Sequence, residues 1–240
     1  MPKNAGYGFL ATLALTISFS GIILIFLLTF YAQTTTQWNP SWRKPLIGTI
    51  FALICLSGIL AVFFPEKCSK SFHIRIKEKT VYEAKNSNSS RASVHFEGHH
   101  PNCGKFKAHV ITANGLVLCA ACTGLLAGGL IALPLNVFYF FFGLDFLGQF
   151  GLWNVLFGQV GVVLGFFQFK LSGFVRSIFN TVFVIACFFV LAGVDSLAEN
   201  VLIDLYLTGL IVFWIYTRII LSRWDHSRIC CTCTAFCELK

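Results

Sequence analysis

Six long apolar runs decide what this chain can fold into. They cover roughly residues 7–32, 45–64, 119–141, 152–169, 177–194 and 201–221. Each approaches the ~20 residues that a helix needs to cross the hydrocarbon core of a bilayer, the fourth and fifth being at the short end. In lipid a backbone must satisfy its own hydrogen bonds, and segments of this length do so as helices. The composition agrees: 56% of the residues are hydrophobic and only 12% are charged, against about 25% charged in a soluble domain. The expected fold is an all-α integral membrane protein, a six-helix transmembrane bundle. The first run exceeds the ~7–15 apolar residues of a secretory signal and no small-x-small cleavage site follows it, so it reads as a retained span.

The charges orient the bundle. With the amino terminus taken as cytoplasmic, sixteen Lys and Arg residues fall inside, from Lys3 through the long loop to Arg176, Arg218, Arg223, Arg228 and Lys240. Only Arg43 and Lys44 fall outside, beside the acids Asp145, Asp195 and Glu199. The positive-inside rule then places both termini in the cytoplasm of a multi-pass cell-membrane protein. A net charge of +8 reads as a surface facing anionic lipid headgroups, and no stacking-rich basic module points to nucleic acid. The partners expected on this basis are the lipid bilayer and those headgroups, with no nucleic acid.

The chain divides into spans one and two (1–64), a cytosolic loop (65–118), spans three to six (119–224) and a cysteine-rich tail (225–240). In the loop, SFHIRIKEKTVYEA alternates like a strand, and KNSNSSRAS is a polar linker whose sequon at Asn88 stays bare on the cytosolic side. HVITANGLVLC carries Asn114-Gly115 between β-rich arms, the strongest short signal for a hairpin, and sets Val110 opposite Cys119. A loop of this size is too small for a sizeable core and needs a metal or the membrane surface to hold it.

The loop supplies metal-type ligands. Eight of the ten cysteines lie in cytosolic segments or at their membrane junctions, where reducing conditions favour metal or redox chemistry over disulfides. His100 and Cys103 form an H-x2-C pair, and Cys119 and Cys122 a C-x2-C pair, with fifteen residues between the two pairs. That is zinc-ribbon spacing with one histidine for a cysteine, and the hairpin returns the second pair to the first. The expectation is a zinc-ribbon-like module with a Cys3His tetrahedral site of His100, Cys103, Cys119 and Cys122. His99 and His109 are alternatives to His100, or outer partners of the site. In the tail, His226, Cys230, Cys233 and Cys237 make H-x3-C-x2-C-x3-C with Cys231 spare, either a second metal site, part of a shared one, or an acylated segment. An iron–sulfur cluster is the alternative cofactor.

The opposing readings have weaker carriers. Cys119 and Cys122 open a helix, where the dipole favours a reactive thiolate, so a thiol-redox or electron-transfer protein stands second. A transporter stands third, because Asp204 is the only acid within an expected span and its first-turn position suits the helix dipole. No motif of hydrolytic or nucleotide chemistry is present, and an enzyme is the less favoured reading. Gln159, Gln168, Asn154 and Asn180 can bridge helices, and Gly124/Gly128 and Gly161/Gly165 can bring them close. Cys55 and Cys187 read as small apolar side chains.

The run CAACTGLLAGG (119–129), preceded by GHHPNC, resembles uncharacterised predicted membrane proteins of bacteria and archaea. These carry a Cys-Ala-Arg-Cys-Thr-Gly type signature at the start of a transmembrane helix, after an upstream loop bearing Cys or His. The likeness covers about thirty residues, with Ala121 in place of the Arg. It implies a prokaryotic multi-pass protein of unassigned activity, in which Cys119, Cys122, Thr123 and Gly124 are the matching positions. The resulting expectation is a multi-pass membrane protein with a structural zinc module on its cytosolic face, in a binding or scaffolding role.

Overall fold

A computed structural model describes residues 3–32, 40–63, 96–97, 100–101, 106–113, 116–143 and 148–231. Its helices are α1 (Lys3–Ala32), α2 (Arg43–Phe63), α3 (Ala120–Phe140), α4 (Gly151–Phe166), α5 (Gly173–Ala198) and α6 (Val201–Cys231). All six are long and apolar enough to cross a membrane, α4 with the 3-10 turn Phe167–Lys170 that ends it. The outward faces are lipid-like: Phe9, Ile23, Leu53, Phe157 and Leu202 are among many large apolar side chains left exposed. A soluble monomer does not display apolar surface on this scale.

The helices run up and down, and α5 sits at the centre. It packs on α3 and α4 along the glycine seams expected from the sequence. A methyl group placed on Gly128 of α3 would stand 2.8 Å from Val184 Cβ, and one on Gly161 of α4 would stand 2.6 Å from Ala186 Cβ. Gly124 and Gly165 lie as tightly against Ser177 and Phe183. Small residues permit this approach where lipid provides no hydrophobic drive between helices. On the flanks, α2 packs against α3 and α1 against α6. Side chains reinforce both seams: Asn136 Nδ2 donates to Gly48 O (3.0 Å), and Ser18 shares a 2.9 Å hydrogen bond with Thr217. Gln159 bridges helices as expected, donating to Ile22 O of α1 at 3.0 Å.

Two corrections concern charge. Arg43, read as an outside loop cation, is the first residue of α2 and is fully buried. Its Nη1 meets Asp204 Oδ2 at 2.8 Å and Asp195 Oδ1 at 3.0 Å. Asp195, read as an outside acid, is buried near the end of α5 and also accepts a 2.9 Å hydrogen bond from Tyr139 Oη of α3. Asp204 is therefore an ion-pair partner rather than only a helix-dipole acid. The physical reason is desolvation: a guanidinium at the rim of four packed helices is stable only with carboxylates beside it. This network joins α2, α3, α5 and α6 at one end of the bundle.

The opposite end carries the loop. Two antiparallel strand pairs are present: β1 (Phe96–Glu97) with β2 (His100–Pro101), and β3 (Val110–Ala113) with β4 (Leu116–Cys119). Val110 stands opposite Cys119, the register read from the Asn-Gly turn. Residues 114–115 of that turn, the alternating stretch 71–84 and the linker with its sequon lie outside the described residues. Only hairpin-type pairs are shown, and the fuller zinc-ribbon module is not. Helix α6 runs to Cys231, so Asp225 and His226, assigned to a tail from the sequence, belong to its last turns.

Overpacking tests the seam. Gly128→Leu is expected to lower stability by at least the ~1–3 kcal/mol typical of inserted core volume. Gly58→Ala, with nothing within 4 Å of the added carbon, serves as the neutral control in thermal unfolding of the detergent-purified protein. At the other seam, Arg43→Gln strands two buried carboxylates and should cost about 3–5 kcal/mol. Adding Asp195→Asn and Asp204→Asn should restore much of the lost melting temperature.

Candidate functional site

The hairpin end is assembled from strand β4, the starts of α3 and α5, the last turns of α6 and the two 3-10 turns Lys107–His109 and Phe167–Lys170. Strand β4 runs without a break into α3, so Cys119 is the last strand residue and Cys122 lies in the first helical turn. Cys119 is buried and Cys122 half-buried, and neither is in a disulfide. Thr123 Oγ1 donates to Cys119 O at 2.9 Å, which fixes the strand-to-helix corner that carries both thiols. The sequence produces this corner because β-rich LVLC is followed at once by the small residues Ala120 and Ala121, with no polar break.

The 3-10 turn Lys107–His109 docks the hairpin on the bundle. Phe106, buried just before it, sets its ring edge-on to His109 (5.3 Å between centroids) and to His226 of α6 (5.4 Å). His109 is buried as well, and its two nitrogens are both engaged. Nδ1 contacts Arg176 Nη1 of α5, and Nε2 faces Asp225 Oδ2 of α6 at 3.4 Å. A guanidinium can only donate, so Nδ1 accepts and the ring proton sits on Nε2, toward the carboxylate. His109 is thus a tether between loop and bundle rather than a ligand with an open nitrogen. Arg176 completes the clasp with 3.0 Å bonds to Asp225 Oδ2 and to Gln168 O.

Behind the clasp lies a second guanidinium. Arg218 of α6 is 5% exposed. Its Nε donates to Asn180 Oδ1 (2.7 Å), and its Nη2 donates to Gln168 Oε1 (3.1 Å) and again to Asn180 Oδ1. The ring of Phe183 covers its face, 5.8 Å from Cζ. Asn180 is held in turn by its own Nδ2, which donates to Arg176 O at 2.7 Å. Asn180 and Gln168 therefore do join helices, as expected from the sequence, but as acceptors for an arginine that the charge count had assigned to the cytosolic surface.

These groups surround a cavity of about 190 Å³. The loop contributes His109 and Cys119, and α3 contributes Cys122. Helix α6 adds Arg218, Ser222, Arg223 and His226, while Gln168 and Arg176 close the floor. So Cys119 and Cys122, two of the four expected zinc ligands, share one cavity with His109 and with His226 of the second constellation. His109 and His226 themselves lie 5.1 Å apart, ring to ring.

The remaining expected ligands are not brought into view. His100 is placed by its backbone in β2, paired with Glu97. Cys230 is placed by its backbone in α6. His99, Cys103, Cys233 and Cys237 lie outside the described residues. Among the described residues no three His, Cys, Asp or Glu side chains stand close enough together to hold a metal. Sequence reasoning missed Phe106, Arg176, Arg218 and Asp225 as site residues. The available signal was Arg218 within the otherwise apolar stretch IYTRIILS, where a charge inside a span marks a functional position by default.

Comparison with known proteins adds no family: the chain matches no family model, no curated protein and no solved structure.

The clasp gives a direct expectation. Asp225→Asn removes the carboxylate that Arg176 and His109 share, at a cost of about 3–5 kcal/mol for a broken buried pair. Hydrogen–deuterium exchange should rise in residues 106–113 and 116–119 while α4 and the middle of α5 stay protected. Uniform exchange across the bundle would contradict a local clasp.

Proposed function

We propose that the chain is a multi-pass membrane protein whose hairpin end carries a structural metal centre, with zinc as the metal, in a binding or scaffolding role. The observation that supports it is the strand register with Val110 opposite Cys119, which returns the chain at Cys119 to the start of the hairpin, the end that follows His100 and Cys103 in sequence. Two thiols offered by a strand end and a helix start are the usual half of a Cys3His shell. Such a shell is closed, so the metal would hold the loop against the bundle and leave no position for a substrate. The same charge asymmetry read from the sequence supports a cell-membrane protein with both termini and the hairpin on the cytoplasmic side. Kinship with the prokaryotic membrane proteins that carry the Cys-Ala-Arg-Cys-Thr-Gly type signature belongs to this proposal.

A second reading has its own support. The Cys119–Cys122 pair faces a cavity lined by Arg176, Arg218 and Arg223, and cationic surroundings at a helix start activate thiols. A thiol-redox role, or an iron–sulfur centre on the same cysteines, therefore stands as the alternative.

Metal analysis of the purified protein separates them. About one zinc per chain is expected for a Cys3His site, lost in Cys103→Ser, Cys119→Ser and Cys122→Ser together with hairpin protection. Metal-free protein with a reversible Cys119–Cys122 disulfide would replace the structural centre with the redox reading. Iron with visible absorbance would point to a cluster.

A further inference from the structure

We propose that the cavity beneath the hairpin binds a phosphate-type oxyanion. The argument starts from charge. Three guanidiniums, Arg176, Arg218 and Arg223, line the cavity, and no carboxylate does. Of the described residues, only Asp225 brings an acid to this neighbourhood, and it is engaged by Arg176 and His109.

Arg218 is the centre of the case. A buried arginine is costly unless its charge is compensated, and at the opposite end of the bundle Arg43 is compensated by two aspartates. Arg218 donates to the neutral carbonyl oxygens of Asn180 and Gln168 and lies under the face of Phe183, and its charge also faces the thiols of Cys119 and Cys122, with no carboxylate beside it among the described residues. Its hydrogen bonds to the described residues run from Nε and Nη2.

A second, independent observation lies in Gln168, which lines the same cavity and is 3% exposed. Its amide nitrogen has no hydrogen-bond partner among the described residues. The amide cannot simply be turned over, because Oε1 is held by Arg218, and a guanidinium needs an acceptor there. A buried donor left without an acceptor costs about 1–3 kcal/mol, and native structures rarely leave one unexplained.

The cavity thus combines a buried guanidinium with no carboxylate beside it, an unused amide donor and enough room. Its 190 Å³ is several times the ~30 Å³ share of a water molecule in the liquid. Arginines recognise planar or tetrahedral oxyanions through paired N–H donors, and a phosphoryl group offers several acceptor oxygens. The ligand is either free phosphate or the phosphate of a lipid headgroup reaching in at the end of the bundle. The site needs no metal: Arg218 and Gln168 supply the donors whether or not Cys119 and Cys122 hold zinc.

The test uses the full chain in neutral detergent. Thermal unfolding is followed in phosphate against chloride at matched ionic strength. It is repeated in phosphatidylcholine nanodiscs with and without phosphatidic acid. A saturable upward shift with phosphate identifies a free oxyanion, and a shift with phosphatidic acid alone identifies the headgroup; either supports the site. Arg218→Gln should raise the half-saturating concentration about tenfold or more, as expected for lost charged hydrogen bonds. Gln168→Leu, which keeps all three guanidiniums but removes both the open amide donor and the acceptor of Arg218 Nη2, should weaken the response in the same direction. No shift with either ligand, or a shift undiminished in both variants, overturns the proposal.

Discussion

A guanidinium removed from water must find acceptors, and the arrangement of this bundle follows from three that do. Arg43 at one end draws Asp195 and Asp204 together and, through Tyr139, fixes α2, α3, α5 and α6 to one another. Arg176 and Arg218 do the corresponding work at the other end, where Asn180 and Gln168 join the end of α4 to α5 and α6. Between the two ends the glycine seams let α3 and α4 approach α5 closely, so the middle of the bundle is joined by close backbone packing and its ends by polar contacts. Paired burial of this kind gives orientation more than net stability, since desolvation offsets most of the Coulomb gain.

The two ends differ in one respect that bears on function. At the Arg43 end, carboxylates answer the positive charge within the chain itself. At the hairpin end, Asp225 answers Arg176 and Arg218 is left with neutral partners. The loop is docked onto that end through Phe106 and His109, which makes the hairpin part of the bundle's mouth rather than an appendage. Thiols, histidines and arginines therefore face one space. The proposed metal–thiolate centre and the proposed oxyanion site use different atoms of that space.

Much of this was legible in the sequence, and the limits have physical causes. The six spans were visible because lipid-facing and core-facing positions are both apolar. The Asn-Gly signal and the β-rich arms specified the register of β3 and β4 down to Val110 opposite Cys119. Glycines four apart marked the close seams. Span ends were harder: α5 begins before Arg176 and α6 continues past Asp225 because their charges pair inside the fold, whereas a sequence window treats a charge as a boundary. The same blindness assigned Arg43, Arg176 and Arg218 to surfaces. Charge counting records sign and sidedness but not partners, and the partners here are up to 161 residues away in sequence. Of the expected ligands, Cys119 and Cys122 stand at the strand-to-helix corner and His100 is placed by backbone alone.

X-ray absorption at the zinc edge of the purified, undenatured full chain is the most direct measurement. The account predicts a tetrahedral shell of three sulfurs at about 2.3 Å and one nitrogen at about 2.0–2.1 Å. Absence of zinc from the protein, or a first shell of oxygen and nitrogen only, would contradict a metal centre built on Cys119 and Cys122.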